Sequence, residues 1–342
     1  MSEPADTLYK KKNTSPETVG GILVQSEKLG FESSELLACP KCERQNSPDR
    51  FECIYCGTEL GRDSAKDEQS IDRTPPEIWE NGFNLILYDV SGQDPDTAKV
   101  AKILGLEPEV LINILQAARP MPIMRARSKT TTDLIGKKLY DLGLRHTVIA
   151  DSELRAVELP VRLRGLEFGE DRITLIDFNT TRRIEAGHTN IELIVTGKYF
   201  STRTEISEKR QKKKESKVLS ETETSSDQVV TDIYIRGNEL GFRIFSTGFD
   251  FSCLGSEKGI LAVDNMDKLT AKLRSINSGG YVDDYNENAG RLGNIWELES
   301  RKDLFGLQRT GFGRTAFESI ATSNNLNQFT KFSRLNRILN EA

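Results

Sequence analysis

The residues with the clearest chemical potential are four cysteines arranged as two Cys-x-x-Cys pairs. The first pair is Cys39 and Cys42, the second is Cys53 and Cys56, and ten residues separate the pairs. A two-residue gap lets the chain turn tightly and aim both sulfurs at one point, so two such turns can surround one ion with four thiolates. Zinc suits this set because it is borderline soft and accepts tetrahedral geometry. Thiolates would fill all four coordination positions, which predicts a structural site with no place for substrate.

The segment around these cysteines resembles a bacterial zinc ribbon. It reads CPKCERQNSPDRFECIYCGTEL, and beside the cysteines the resemblance rests on Pro40, Asn46, Phe51, Gly57 and Leu60. The family has glycine where this chain has Glu43, and Phe51 lies one place early. The spacing also equals that of Ran-binding-protein-type zinc fingers, some of which bind single-stranded RNA or ubiquitin, but Leu37 replaces the tryptophan that opens that motif. The resemblance implies zinc, with an iron site of rubredoxin type as the alternative, and does not indicate a partner.

Few other residues could support catalysis. The chain has two histidines, His146 and His188, and neither lies in an H-E-x-x-H motif or near a recognisable nucleophile. Cys253 lies among apolar residues, which predicts a buried, unreactive thiol. The sequence has no Walker motif, G-x-S-x-G motif or kinase signature. Nothing here argues for an enzyme, although scattered catalytic residues in the β-rich part of the chain stay open as an alternative.

Two segments carry concentrated positive charge. The first, 209–217, lies in a charged, Ser/Thr-rich insertion at 207–228 that predicts a solvated loop or a phosphate contact. The second, from 301 onward, interleaves basic residues with phenylalanines, which suits stacking on single-stranded nucleic acid or a tail that packs on its own protein. The candidate nucleic-acid or partner contacts are Lys209, Arg210, Lys212, Lys213, Lys214, Arg309, Phe312, Arg314, Phe329, Lys331, Phe332 and Arg334.

The composition is that of an ordinary soluble protein. Hydrophobic residues make up 37% and charged residues 29% of the 342 residues, which excludes a wholly disordered chain, a collagen and a membrane bundle. The net charge of −5 argues against a protein coated all round with basic residues for nucleic acid. The N-terminal region is polar and no apolar run is long enough to span a membrane. We therefore expect a cytoplasmic protein, whose clustered cysteines stay reduced.

Composition shifts divide the chain into six predicted parts. They are a flexible N-terminus at 1–36, the zinc ribbon at 37–60, a linker at 61–76, a small α/β domain at 77–155, a β-rich domain at 156–280 and a basic, aromatic C-terminal tail at 281–342. The predicted fold class is therefore α+β and multidomain.

The order of strands and helices in the small α/β domain can be predicted from its sequence. Hydrophobic patterning predicts strands at 83–90, 122–127 and 146–150, and helices at 95–104, at 107–118 and from a Thr132 cap to 142. Residues 97–150 resemble the C-terminal domain of the bacterial ribosomal stalk protein in this order. In that family the first helices bind translation factors through basic residues, and Lys99 and Lys102 fall on the corresponding segment. An acidic turn at 106–109 replaces the family's glycine- and lysine-rich turn.

The β-rich domain combines several strands with one helix. Strands are predicted at 162–168, 172–178, 191–195, 229–235 and 241–245, followed by an amphipathic helix at 259–276. This pattern predicts a small barrel or roll capped by that helix, and a pleckstrin-homology-like shape would suit it. The tail shows weak periodicity.

Taken together, the parts resemble bacterial zinc-ribbon proteins of an uncharacterised family. The hypothesis that follows is a non-catalytic, zinc-binding adaptor or scaffold with a protein partner. The first alternative is a protein associated with nucleic acid or the ribosome, and the second is an enzyme with a cryptic site in the β-rich domain. The sequence does not indicate a small-molecule ligand.

Overall fold

The structure is a computed structural model of the chain. It describes residues 17–19, 22–24, 36–47, 53–58, 60, 74–77, 79–88, 95–117, 119–211, 214–277, 279–309 and 315–341. Of these, residues 17–19, 22–24, 208–211, 214–217, 219, 305–309 and 315–318 are described by their backbone alone. The chain divides into two compact units, Met1–Ile71 and Asp72–Ala342.

Within its described residues, the first unit contains two small antiparallel strand pairs. Strands β1 (Glu17–Val19) and β2 (Ile22–Val24) form one pair. Strands β3 (Leu37–Ala38) and β4 (Gln45–Asn46) form the other, on either side of the first two cysteines. Most of the predicted N-terminus and of the predicted linker lies outside the described residues.

The second unit begins with a three-stranded antiparallel sheet and the helices that cover it. The strands are β5 (Phe83–Leu87), β6 (Met121–Ala126) and β7 (His146–Ala150), with β5 in the centre. The helices are α1 (Thr97–Leu104), α2 (Pro108–Leu115), α3 (Lys129–Tyr140) and the single turn α4 (Asp151–Leu154). The predicted order of helix, helix, strand, helix and strand is confirmed for this part of the chain.

Helix α3 begins one turn earlier than predicted. Ser128, in extended conformation, accepts a hydrogen bond from the Thr131 N–H at 3.1 Å and caps the helix, so Thr132 lies inside it. Midway along α3, a Cβ on Gly136 would lie 2.3 Å from the His146 ring on β7. Glycine at this position therefore lets the helix pack closely on the sheet.

A larger sheet of nine strands forms most of the second unit. Its strands are β8 (Val161–Phe168), β9 (Arg172–Asp177), β10 (Arg183–Gly187), β11 (Ile191–Gln211), β12 (Lys214–Ile235), β13 (Asn238–Phe245), β14 (Gly280–Val282), β15 (Glu299–Arg309) and β16 (Thr315–Asn324). The order is β10-β9-β8-β13-β12-β11-β16-β15, with β14 beside β11. The pairing is antiparallel except for β8 with β13 and β11 with β14. None of the described sheets closes into a barrel, so the predicted barrel is wrong.

The predicted loop at 207–228 is also wrong, because most of it is strand. Strand β11 pairs with β12 from Ile191 out to Gln211, and β16 pairs with the other side of β11. Strand β15 completes a four-stranded projection, which we call the arm: residues 201–211, 214–226, 299–309 and 315–324. Its residues lack hydrophobic alternation, but the threonines and the backbone pairing favour strand.

Two helices cover opposite faces of the large sheet. Met266, Leu269 and Leu273 of α5 (Ala262–Ile276) pack in one apolar core with Ile233 of β12. The neighbouring Tyr234 points the other way, as expected of alternate residues in a strand, and its hydroxyl lies 2.8 Å from the Ser333 hydroxyl. Ser333 belongs to α7 (Leu326–Glu341), so the prediction of a single capping helix is wrong.

The predicted C-terminal tail is folded into the second unit. Besides β15, β16 and α7 it contains helix α6 (Tyr285–Leu292), whose Tyr285 ring packs edge-on against Phe329 of α7 at 5.1 Å. Nine consecutive residues of α7, 328–336, are buried. This helix therefore forms part of the core, covered on more than one side.

A buried charge cluster links the three-stranded sheet to α7. The Asp151 carboxylate accepts hydrogen bonds from Arg125 Nη2 at 2.6 Å and Asn84 Nδ2 at 2.9 Å, and Lys331 Nζ of α7 lies 3.8 Å away. Asn84 also accepts a 2.7 Å bond from the Trp296 indole N–H. Burial alone would raise the pKa of Asp151, but Lys331, Asn84 and Arg125 outweigh it and hold that pKa below its usual range.

A second buried ion pair lies between the large sheet and α7. Arg243 of β13 donates two 2.7 Å hydrogen bonds to the two carboxylate oxygens of Asp232 on β12, and their side chains are only 3% and 1% exposed. The remaining Arg243 nitrogen donates to the Thr330 hydroxyl of α7 at 3.0 Å. Burial would lower the pKa of Arg243, but Asp232 raises it above its usual range, so the guanidinium stays charged.

Candidate metal centre

The four predicted cysteines come together in one cluster. The sulfurs of Cys39, Cys42, Cys53 and Cys56 all lie within 4.8 Å of one another. Cys39 and Cys56 are 3.6 Å apart, and Cys42 and Cys53 are 3.5 Å apart. A tetrahedral ion with metal–sulfur bonds of about 2.3 Å would place its sulfurs about 3.8 Å apart. The cluster could therefore hold one metal ion, and zinc is the usual ion for such a set.

The two turns that carry the cysteines repeat one hydrogen-bond pattern. In the first, the Cys39 carbonyl accepts from the Glu43 N–H at 2.9 Å, and the Cys39 N–H donates to the Arg44 carbonyl at 3.0 Å. In the second, Cys53 makes the same two bonds with Gly57 at 2.8 Å and Thr58 at 2.9 Å. This closure brings the two sulfurs of each pair to the same side of the turn.

Equivalent positions in the two turns adopt left-handed backbone conformation. Gly57 has φ +69°, and Glu43 has φ +58°. Only glycine adopts this region without a penalty, so the glutamate at 43 is strained. The two turns therefore share a backbone shape at this position although their residues differ.

A second layer of polar groups orients the sulfurs. The Asn46 side chain accepts a 3.0 Å bond from the Ile54 N–H and donates to the Arg44 carbonyl at 2.8 Å. Its Nδ2 also lies 3.5 Å from the Cys53 sulfur. Asn46 thereby ties one turn to the other, as second-layer partners do in metal sites.

The thiols differ in how readily they lose their protons. Burial would raise the pKa of Cys53, but the N–H groups of Tyr55 and Cys56, together with Cys42 and Asn46, lower it to about 6. At Cys42 the Arg44 N–H lowers the pKa, but burial and the neighbouring thiols outweigh it and raise the pKa to about 12. A bound divalent cation would deprotonate all four, because the thiolate is the form that binds metal.

We predict that Asn46→Ala weakens metal binding while the four cysteines remain. The substitution removes the bonds to Ile54 and Arg44 and the approach to Cys53, so both turns lose their mutual support. We expect the zinc dissociation constant, measured by competition with a chromogenic chelator, to rise about 10- to 100-fold. Ser47→Ala, one residue along, is the control, and equal affinity of Asn46→Ala and the wild type would contradict the role given to Asn46.

The cluster is closed on one side and exposed on the other. Cys39, Cys53 and Leu60 are buried against one another, whereas Ile54 and Tyr55 of the second turn are each about half exposed. The Arg44 guanidinium stacks 4.7 Å from the centre of the Tyr55 ring. The second turn therefore presents an apolar and aromatic surface next to the four cysteines.

The other predicted contact residues fall into three groups of four. Lys209, Arg210, Lys214 and Arg309 lie at strand positions near the far end of the arm. The candidates Lys212, Lys213, Phe312 and Arg314 lie outside the described residues.

The remaining four candidates are buried on α7. Phe329 and Phe332 are at most 1% exposed. Lys331 faces Asp151, and Arg334 donates to the Glu239 carbonyl at 2.8 Å. In this conformation their side chains have internal partners, as in a tail that packs on its own protein.

The described residues offer limited support for a catalytic site. Cys253 is half-buried against the apolar core, and burial raises the pKa of its thiol. One small recess, with a cavity volume of about 10 Å³, lies beside β5 and is lined by apolar residues, Tyr88 and Arg119. This volume is below the range of about 300–1,000 Å³ typical of small-molecule sites. The recess belongs to the three-stranded part of the unit, not to the β-rich part.

No protein-family model, curated protein or solved structure matches the chain. Within the described residues, every helix is too short or too polar to cross a membrane. Support for a function therefore comes from the geometry of the chain's own residues.

Proposed function

We propose that the protein is a cytoplasmic, non-catalytic, zinc-binding adaptor whose arm binds a partner protein by strand addition. The observation that supports this proposal is the open outer edge of β12. Strand β13 pairs with β12 only between Val230 and Ile235, so residues 214–228 have β11 as their only described neighbouring strand.

The direction of the backbone groups along this edge follows from one hydrogen bond. The Val229 carbonyl accepts from the Ser246 N–H at 3.0 Å, so Val229 faces away from β11. Backbone groups of successive residues in a strand point to alternate sides. Ser225 and Asp227 therefore point their N–H and C=O groups outward, and Thr224 points inward to β11.

The edge is long and has little protection. Every side chain from 220 to 227 is exposed. Natural edge strands are blunted by prolines, bulges or charges, and here the described protection is the acidic set Glu221, Glu223 and Asp227. Main-chain bonds to an added strand would give affinity, and the acidic side chains would favour a basic peptide.

The ribbon would act as a second contact surface. Tyr55, Ile54 and Arg44 are exposed or stacked at its tip, and aromatic and arginine side chains dominate binding energy at protein interfaces. The metal would hold the turns in place and perform no chemistry, because the four thiolates would occupy its coordination positions.

Ser225→Pro tests the open edge. Proline removes an outward N–H without removing a bond to β11, so we expect the fold to persist and strand addition to fail. The measurement is affinity capture by the intact chain from nuclease-treated cytosol of the source cell, with recovered proteins quantified by mass spectrometry. We expect a partner recovered by the wild type to be depleted at least about tenfold, as for the loss of about 1.4 kcal/mol of binding free energy.

Ser225→Ala is the matched control, because it changes the side chain and keeps the N–H. It should recover the partner as the wild type does. Equal recovery by Ser225→Pro and the wild type would contradict strand addition. Proteins recovered from untreated cytosol but not from nuclease-treated cytosol would instead favour the nucleic-acid or ribosome alternative.

A further inference from the structure

Two basic segments that are far apart in sequence meet at the far end of the arm. Lys209 near the end of β11 and Arg309 at the end of β15 are 100 residues apart in the chain. Both strands run outward to this end, and the chain returns along β12 and β16. The sheet therefore combines the ends of two separate hairpins.

Strand register places these ends side by side. Glu208 on β11 pairs with Val218 on β12 and with Phe317 on β16, and Phe317 pairs with Leu307 on β15. These four residues form one row across the arm. The described residues beyond this row are 209–211, 214–217, 308–309 and 315–316, which we call the arm tip.

The arm tip carries an excess of positive charge. It contains the basic residues Lys209, Arg210, Lys214, Lys217 and Arg309 and one acidic residue, Glu215, for a net charge of 5 − 1 = +4. Glu208 lies in the row, and Glu318 lies one residue closer to the body of the sheet. Including these two carboxylates reduces the net charge to 4 − 2 = +2. The local charge is thus opposite in sign to the net charge of the chain.

The acidic residues that follow in sequence lie further down the arm. Glu221 is opposite Ile206 and Glu223 is opposite Thr204. At about 3.3 Å per residue, these rows are about 10 and 17 Å from that of Lys209. Since charges are screened over about 8 Å at physiological ionic strength, these carboxylates do little to neutralise the tip.

We propose that the arm tip binds the phosphate backbone of single-stranded nucleic acid. Four strands at a spacing of about 4.8 Å make the tip about 15 Å wide, enough for several phosphates at once. Phe317 lies in the adjoining row, and aromatic residues beside a cationic track are the arrangement that single strands require. This surface is separate from the outer edge of β12 and goes beyond the proposed adaptor function.

The test is binding of the full-length protein to fluorescent 20-nucleotide single strands of RNA and of DNA at several salt concentrations. Each phosphate contact contributes about 0.7 to the slope of log K against log salt, so five contacts predict a slope of about −3.5. Changing Lys209, Arg210, Lys214 and Lys217 to glutamine should reduce the slope to about −0.7 and weaken binding at 50 mM salt at least about tenfold. Ser225→Pro should bind like the wild type, which separates this site from the edge of β12.

Two further variants make the result specific to the tip. Arg309→Gln alone should reduce the slope by about 0.7, because the site uses both hairpins. The matched control changes the exposed Lys137, Arg182, Lys198 and Lys268 to glutamine and should leave the slope unchanged. No binding by the wild type at 50 mM salt would overturn the proposal. The proposal would also be overturned if the control variant weakened binding as much as the tip variant, or if Arg309→Gln left the slope unchanged. A parallel assay with vesicles of anionic lipid tests the membrane alternative, and binding to the vesicles alone would overturn the proposal too.

Discussion

Replacing Cys53 by serine should release about one equivalent of zinc and unfold the ribbon, while residues 72–342 stay folded. Cys53 is 2% exposed and its sulfur contacts both Cys42 and Asn46. Metal binding supplies about 10–16 kcal/mol in small zinc sites, far more than a segment of this size can obtain from its own core. The measurement is metal content by mass spectrometry, together with thermal unfolding of the intact chain.

Cys253→Ser is the control for this prediction. It removes the fifth cysteine, which lies against the core of the second unit, and should leave the metal content unchanged. The main unfolding transition should shift by less than about 2 °C in Cys53→Ser, because the ribbon belongs to a separate compact unit. A Cys53→Ser protein that kept its zinc, or that lost the main transition, would refute the assignment.

Breaking the Asp232–Arg243 pair should strongly destabilise the second unit. Asp232→Asn or Arg243→Met leaves one charge buried without its partner, because both side chains are at most 3% exposed. We expect the free energy of unfolding, measured in urea, to fall by about 3–5 kcal/mol. Arg243→Met also removes the bond to Thr330 of α7, so loosening of that helix should accompany the loss.

A double substitution separates the charge effect from packing. Asp232→Leu combined with Arg243→Met removes both charges, so it should be less destabilising than either single change. The exposed pair Arg301 and Asp303 on β15 is the control, and Arg301→Met should change stability little. Single changes at Asp232 and Arg243 no more destabilising than Arg301→Met would show that the buried pair does not stabilise the sheet.

The cysteine cluster, much of the α/β part and helix α5 could be predicted from sequence because their signals are local. The spacing of Cys39, Cys42, Cys53 and Cys56 determines the two turns directly. The apolar spacing of Met266, Leu269 and Leu273 indicates helix α5 because one face is buried and the other exposed. Both signals can be read within a short window of residues.

The arm and α7 could not be predicted from local sequence patterns, for opposite reasons. In the arm, side chains such as those of Glu221 and Glu223 are exposed, so no hydrophobic pattern accompanies the backbone pairing that makes it a sheet. In α7 the burial extends to Lys331 and Arg334, whose partners Asp151 and the Glu239 carbonyl are distant in sequence. A window along the chain cannot reveal partners that only the tertiary fold supplies.

The position of α7 in the chain has a consequence for synthesis. This helix covers Tyr234 and Tyr285 and pairs its Lys331 with Asp151, and it follows all of them in sequence. A nascent chain emerges from its N-terminus, so these surfaces remain uncovered until α7 has left the ribosome. The cysteine cluster draws its ligands from residues 39–56 alone, so it can form long before α7 is made. The second unit should therefore be the chaperone-dependent part of the molecule, most prone to aggregate when translation stops before α7.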